Sequence, residues 1–250
     1  MDNSFFSTIF KRKSFHLFMN CGYEVLSQDE IDGISELFER AERLYPDIRM
    51  AIRIVPTTEV TLKRGAEYCI LIYSEKKPNY LMNVGYVGEQ LDLYLQKNNI
   101  ASLWYGLGKP DKEIFDGLDY VIMFAIRKVS DETKYRKNIE KTTRKSIGEI
   151  WKGDMLGIAE TARYAPSACN SQPWVVENID GVVTVTRYKK QAKIGLLTPK
   201  AAFYFNRIDI GIFLCVLEIC FAEKNISFKR ELYVDETDTE YSPVAKYHME

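Results

Sequence analysis

Apolar residues recur at helical spacing in several stretches of the chain. In the first, Ile31, Ile34, Leu37, Phe38, Ala41, Leu44 and Tyr45 fall on one face. Ser27 with Glu30 forms a capping box at its start, and Pro46 closes it. A second helix is expected over residues 83–100, with Val84, Val87, Gly88, Leu91, Tyr94 and Leu95 as its buried face. Gly85 and Gly88 on that helix allow another backbone to come close. A third is expected over 154–164, where Met155, Leu156, Ile158, Ala159 and Ala162 supply the apolar side. The longest apolar run, 208–222, is interrupted by Asp209, Gly211 and Glu218. It is shorter than the ~20 residues a spanning helix needs, so it reads as a buried helix.

Strand patterns lie between these segments. Residues 50–55 and 68–74 read as strands, the second a continuous apolar run and therefore covered on both faces. Residues 119–128 form a strongly apolar strand. Asp180-Gly181 between 174–179 and 182–188 is a hairpin signal. Residues 227–234 add one more strand, and from Asp235 the tail is acidic and polar with no core pattern. Residues 101–108, with Trp104-Tyr105-Gly106-Leu107-Gly108, read as a Gly-rich loop after a core helix. The mixture predicts an α+β fold.

Composition narrows the classes. At 250 residues the chain can bury a core as one domain or two intimately packed halves. A net charge of −1 gives no general case for nucleic acid or membrane binding. Cys21, Cys69, Cys169, Cys215 and Cys220 are scattered and lack CxxC spacing, so they read as reduced residues of a cytoplasmic protein. Met1-Asp2-Asn3 does not begin a signal peptide. Only His16 and His248 are present, with no HExxH or Cys/His spacing, so no metal site is expected. There is no P-loop, no G-x-G-x-x-G after a strand and no G-x-S-x-G elbow.

Three polar segments are candidates for chemistry. Tyr164-Ala165-Pro166-Ser167-Ala168-Cys169-Asn170-Ser171-Gln172-Pro173-Trp174 puts prolines, serines and two amides between a helix pattern and a strand. It is either a plain turn or a polar corner that holds a ligand. Phe10-Lys11-Arg12-Lys13-Ser14-Phe15-His16-Leu17-Phe18 sets three consecutive basic residues beside Ser and His. It is either a solvated helix end or an anion site, since the Arg fork suits phosphate oxygens. Residues 130–145 are polar and basic and read as a solvated connector.

The spelling Pro-Ser-x-x-Asn-x-Gln-Pro-Trp at 166–174 resembles the signature of the FMN-dependent nitroreductase family. The resemblance implies that Pro166, Ser167, Ala168 and Asn170 border a flavin ring held mainly by the other subunit of a dimer. It also implies that Arg12, Lys13, Ser14, His16 and Phe18, which match the family's N-terminal Arg-basic-Ser-x-basic-x-Phe, hold the FMN phosphate, ribityl chain and pyrimidine edge. His16 stands where Arg or Lys is usual. The stretch 83–108 resembles the family's long core helix and the segment beside the flavin, which brings in Gly106 and Leu107. Arg136 is the nearest match to a further phosphate-binding residue after the last sheet strand. Such an enzyme passes hydride from NAD(P)H through the flavin to a small electron-poor acceptor of the nitroaromatic or quinone type. The absence of a self-sufficient catalytic set fits, because a cofactor then carries the chemistry. The alternative is a flavin-binding carrier or sensor that does not turn over.

In ordinary members of the family the signature loop follows soon after the first helix, whereas here it lies far down the chain. Internal repetition explains this. Sliding the chain by 126 positions places Val84 on Ile210, Gly85 on Gly211, Leu91 on Leu217, Asn99 on Asn225, Ile100 on Ile226 and Asn83 on Asp209. Arg12-Lys13-Ser14 is echoed by Arg144-Lys145-Ser146. The chain therefore reads as two pseudo-symmetric nitroreductase-like halves, 1–135 and 136–250, fused into a monomer. One FMN per chain is expected. The reciprocal position lacks Ser-x-x-Asn near Tyr45-Pro46-Asp47, and Gly148 replaces its second basic residue.

Overall fold

The computed structural model describes residues 4–18, 21–61, 64–188, 198–237 and 239–250. Along them run α1 (Phe5–Lys11), α2 (Gln28–Arg40), β1 (Met50–Pro56), β2 (Tyr68–Ser74), α3 (Tyr80–Lys97), β3 (Ile100–Tyr105), β4 (Ile114–Phe115) and β5 (Leu118–Lys128). Then come α4 (Ile147–Ile150), β6 (Trp151–Gly153), α5 (Ala159–Ala162), β7 (Trp174–Ile179), β8 (Val182–Tyr188), α6 (Pro199–Glu223), β9 (Phe228–Leu232) and β10 (Tyr241–Met249).

The strands form two sheets. One has the order β1-β2-β5-β3, with β4 on β5, and all its pairs are antiparallel. The other has the order β6-β7-β8-β10-β9, antiparallel except where β6 joins β7. Both sheets follow one plan: two paired strands, a long helix, then two more strands of which the last inserts beside the second. Their inner faces share one core with α3 and α6, including Ile70, Ile72, Phe124, Val183, Val185 and Tyr247. Alternate residues of β2, Cys69, Leu71 and Tyr73, enter a second cluster on the outer face with Phe15 and Phe18. The continuous apolar run of that strand thus reflects cover on both sides.

Helices α3 and α6 touch backbone to backbone. A Cβ placed on Gly85 would lie 2.0 Å from the carbonyl oxygen of Ile208, and one on Gly211 would lie 1.9 Å from that of Met82. The two contacts are the same contact with the helices exchanged, since Met82 and Gly85 stand 126 positions before Ile208 and Gly211. Glycine is required at both, because any side chain would push the helices apart.

Several boundaries differ from the sequence expectation for identifiable reasons. The helix expected to reach Tyr45 stops at Arg40. Beyond it, Gln90 accepts from the Glu42 N–H at 3.0 Å and Asn83 from the Tyr45 N–H at 3.1 Å, so side chains of α3 take over those donors. The helix expected over 154–164 is reduced to one turn, Ala159–Ala162. There the Asp154 side chain accepts from the Leu156 N–H, while its carbonyl accepts from Trp151 and Asn178. Leu156 and Gly157 consequently adopt φ of 52° and 65°. Residues 100–105 are strand rather than loop, and α6 begins well before Ile208, with Thr198 capping the Ala201 N–H. The tail is not patternless: β10 lies between β8 and β9, with Val244, Ala245 and Tyr247 fully buried.

Candidate functional site

Helix α1 ends at Lys11, and residues 12–16 continue as an extended strap along β3. The Lys13 N–H donates to Gln96 Oε1 at 2.7 Å and the Phe15 N–H to the Ser102 carbonyl at 3.1 Å. Asp92 of α3 organises this edge. It accepts from Arg12 Nε at 2.6 Å, from Gln96 Nε2 at 2.9 Å, from Trp104 Nε1 at 3.2 Å and from the Ser102 hydroxyl. Arg12 also points Nη2 at Ser14 Oγ, 3.5 Å away. Burial works against the Arg12 charge, but Asp92 and Glu89 outweigh it and raise its pKa. Glu89 is fully buried and its carboxyl is pushed well above the usual range by that burial, with Arg12 pulling the other way. Arg12 is therefore a cation already balanced by an internal carboxylate.

The facing wall is the polar corner. The Ala168 N–H donates to Asp209 Oδ1 at 2.9 Å, Ser171 Oγ to Asp209 Oδ2 at 3.2 Å, and the Gln172 N–H to Ser167 Oγ at 2.9 Å. These bonds hold Cys169, Asn170 and Gln172 at φ of 49°, 55° and 47°. Left-handed backbone is unfavourable for residues other than glycine, so the corner keeps its shape only because side chains and α6 fix it. Asp209 is equivalent by the 126 offset to Asn83, which takes the Tyr45 N–H in the same way. Burial raises the Asp209 carboxyl to about 7, against the pull of its two hydrogen bonds.

Strap and corner face one cleft of about 370 Å³, within the ~300–1,000 Å³ usual for small-molecule sites. Its walls contain Arg12, Ser14 and His16 from the strap, Gly106 and Leu107 after β3, and Pro166, Ser167 and Ala168 from the corner. Leu103, Trp104, Ile122, Ile208 and Ile212 give it apolar sides. Four of the residues named from sequence do not line it. Lys13 turns away, donating from Nζ to the Lys134 carbonyl at 2.8 Å. Asn170 faces a second cavity, where its side chain accepts from Arg144 at 3.0 Å and donates to the Thr143 carbonyl at 3.0 Å. Arg136 sits next to the strap, its N–H bonded to the Lys11 carbonyl at 3.2 Å. Its half-buried guanidinium is lowered to about 10, first by burial and then by Arg12, and among the described residues no carboxylate pairs with it. Phe18 lies in the core beneath the strap, stacked near Phe15.

The structure adds residues that were not named as site residues. Arg64 donates to the His16 carbonyl at 2.9 Å and lies 5.3 Å from the Tyr105 ring centroid. Phe205 packs on Gly106, where a Cβ would meet its ring at 2.5 Å. Asp209 was visible as a charge breaking an apolar run and as the counterpart of Asn83 at the 126 offset, not as a site residue. Among the described residues there is no cluster of His, Cys, Asp and Glu able to hold a metal, and no helix long and apolar enough to cross a membrane.

A slot with apolar sides and hydrogen-bonding groups along its edges, set in an α+β fold, is shaped for a flat ligand with polar edges. The family described as "Putative TM nitroreductase" matches residues 4–221, and the chain belongs to that family, which makes it an oxidoreductase by class. A solved structure assigned as a nitroreductase, from Thermotoga maritima MSB8, shares the fold with a TM-score of 0.59 and 16% identity, over 98% of this chain and 93% of that one. A nitroreductase family protein from Clostridium difficile 630 gives a TM-score of 0.45 and 14% identity, over 60% of this chain and 96% of that one. A Desulfovibrio desulfuricans protein in complex with FMN gives 0.43 and 14%, over 60% and 95%. Among curated proteins, none matches the sequence.

Proposed function

We propose that the chain binds one FMN in the cleft between strap and corner and passes hydride from NAD(P)H to a small electron-poor acceptor, such as a nitroaromatic or a quinone. The observation that carries this reading is the convergence of Arg12, Ser14 and His16 with Pro166, Ser167 and Ala168 on one cleft, across more than 150 residues of chain. The donor set fits the cofactor. Ser167 accepts one N–H and keeps its own O–H to donate, and the Trp104 side supplies an apolar face for a ring. Arg136 supplies a cation that no described carboxylate balances, suited to a phosphate. When bound, FMN supplies the two-electron chemistry. The residues of this chain bind and orient it, and the Asp92–Arg12 pair fixes the strap so that Ser14 and His16 are placed without cost at the moment of reaction. Asn170 is tied to Thr143 and Arg144, so its share in FMN binding is assigned to holding the corner.

The same strand order in both sheets and the exchanged glycine contacts support two fused halves acting as a monomer with one cleft. Around Met82, which corresponds to Ile208 in the cleft, Asn79, Arg207, Ile210 and Asp235 leave no room for a water molecule. Ser167→Ala should weaken FMN binding at least severalfold with the fold intact, as read by flavin fluorescence and circular dichroism. Unchanged affinity would remove Ser167 from the site. Mixing the FMN-loaded protein with NADH or NADPH and a quinone should give steady loss of nicotinamide absorbance. Bound flavin that stays oxidised would favour a carrier or sensor instead.

A further inference from the structure

The second cavity, about 380 Å³, is walled by Arg144, Lys145, Asn170, Gln172, Tyr188 and Asn206, among others. It shares the corner with the cleft: Cys169 faces the cleft and Asn170 this cavity. Arg144 donates to the Thr143 carbonyl at 3.0 Å, Asn170 Oδ1 at 3.0 Å and the Tyr164 carbonyl at 3.1 Å, all of them neutral acceptors. Its Nε is buried with no partner. Burial, then Arg12 and Arg136, lower its guanidinium to about 10, the behaviour of a cation with no anion beside it. Lys145 donates to the Gln172 carbonyl at 2.8 Å and lies 5.8 Å from the Tyr188 ring centroid. Glu149 is the acid on the wall, and its carboxylate is turned into its own helix cap, accepting from Ser146 N at 2.8 Å and Oγ at 2.7 Å.

We propose that this cavity takes the adenosine 2′-phosphate end of NADPH, so that the chain uses NADPH in preference to NADH. The inference rests on the reading of the cleft as the hydride-accepting site. The Arg144 guanidinium, with no carboxylate beside it among the described residues, suits phosphate oxygens, the Tyr188 ring, 5.0 Å from that of Tyr241, borders the cavity where a purine would lie, and Asn206 offers an amide to its edge. The two cavities meet at the corner, Cys169 lining one and Asn170 the other, so a dinucleotide laid across it would point its nicotinamide end toward the cleft. A phosphomonoester could also come from the flavin, and the test separates the two sources.

The full-length chain is titrated by calorimetry, as purified and after FMN saturation, with adenosine 2′,5′-bisphosphate, adenosine 5′-monophosphate and inorganic phosphate. The bisphosphate is expected to bind at least tenfold more tightly than the monophosphate, with FMN present or absent. Arg144→Gln should bring that ratio close to one. Glu149→Gln keeps the cap, since Gln also serves in a capping box, and removes the negative charge. It should tighten bisphosphate binding at least twofold, and it decides the matter should Arg144→Gln fail to fold. Equal affinity for the two adenosine probes, or a ratio unmoved by either substitution, overturns the proposal. Inorganic phosphate binding as tightly as the bisphosphate means an adventitious ion only and overturns it too. Loss of bisphosphate binding on FMN saturation gives the cavity to the flavin phosphate and has the same effect. Should neither NADPH nor NADH be oxidised, the reductase reading fails, whereas the ratio of the two probes still decides this one.

Discussion

Asp209 shows how one side chain links the corner to the core. It accepts from the Ala168 N–H and the Ser171 hydroxyl while buried to 2% exposure, and burial lifts its carboxyl from the ordinary 3.8 to about 7. The folded chain thus keeps this proton longer than the unfolded chain does. The contribution to stability is full below about pH 4, is lost as the pH rises through 7, and is flat above. Asp209→Asn retains an acceptor for Ala168, as Asn83 does for Tyr45 at the equivalent place. The variant should therefore gain stability over the wild type above pH 7, by at most about 4 kcal/mol, and gain none below pH 4. Thermal unfolding at pH 4 and pH 8 checks this, and a gain of equal size at both would contradict it. At this scale much of the site was legible: Arg12, Ser14, His16, Pro166 and Ser167 were named from spelling alone, and all line the cleft. The directions of Lys13 and Asn170 were not legible, because each is turned by a carbonyl distant in sequence, Lys134 for one and Thr143 for the other.

At the scale of elements, the two central helices depend on their missing side chains. Gly85→Ala would put a methyl carbon 2.0 Å from a helix carbonyl that cannot yield without moving α6. The expected cost is about 1–3 kcal/mol or more, measured by denaturant unfolding, with Gly211→Ala matching it. A cost below half a kcal/mol at both would refute the close approach. The C-terminal return is fixed by a different device. Arg187, with no exposed surface, binds Asp235 through Nε at 2.5 Å and Nη2 at 2.9 Å. Asn79 at the start of α3 takes the Asp235 N–H at 2.9 Å and donates to the Tyr233 carbonyl at 2.9 Å, which ties this segment to the first half. Asp235→Ala leaves a buried guanidinium unpaired and should cost about 3–5 kcal/mol. The long periodic helices and the Asp-Gly hairpin were readable from sequence. Strand β10 was not, because Pro243 argues against a central strand and the irregular register between Pro243 and Ala245 breaks the alternation of buried positions. The helix expected over 154–164 failed for a local reason, the turn that Asp154 makes with Leu156.

For the whole molecule, the arrangement is one core shared by two sheets of the same strand order, with α3 and α6 between them. In this reading the interface that two subunits would form lies inside one chain. The strap and the corner line one cleft, and around Met82, 126 positions before Ile208, Asn79, Arg207, Ile210 and Asp235 leave no room for a water molecule. The 126-residue offset and the missing Ser-x-x-Asn near Tyr45 were both visible in the sequence. The close packing around Met82 was not, because Arg207 and Asp235 reach it only through tertiary structure. The most direct test is the stoichiometry of FMN binding to the full-length chain, read from quenching of flavin fluorescence under tight-binding conditions. Saturation at one FMN per chain is the predicted result. Saturation at two, or no binding at all, would contradict the account.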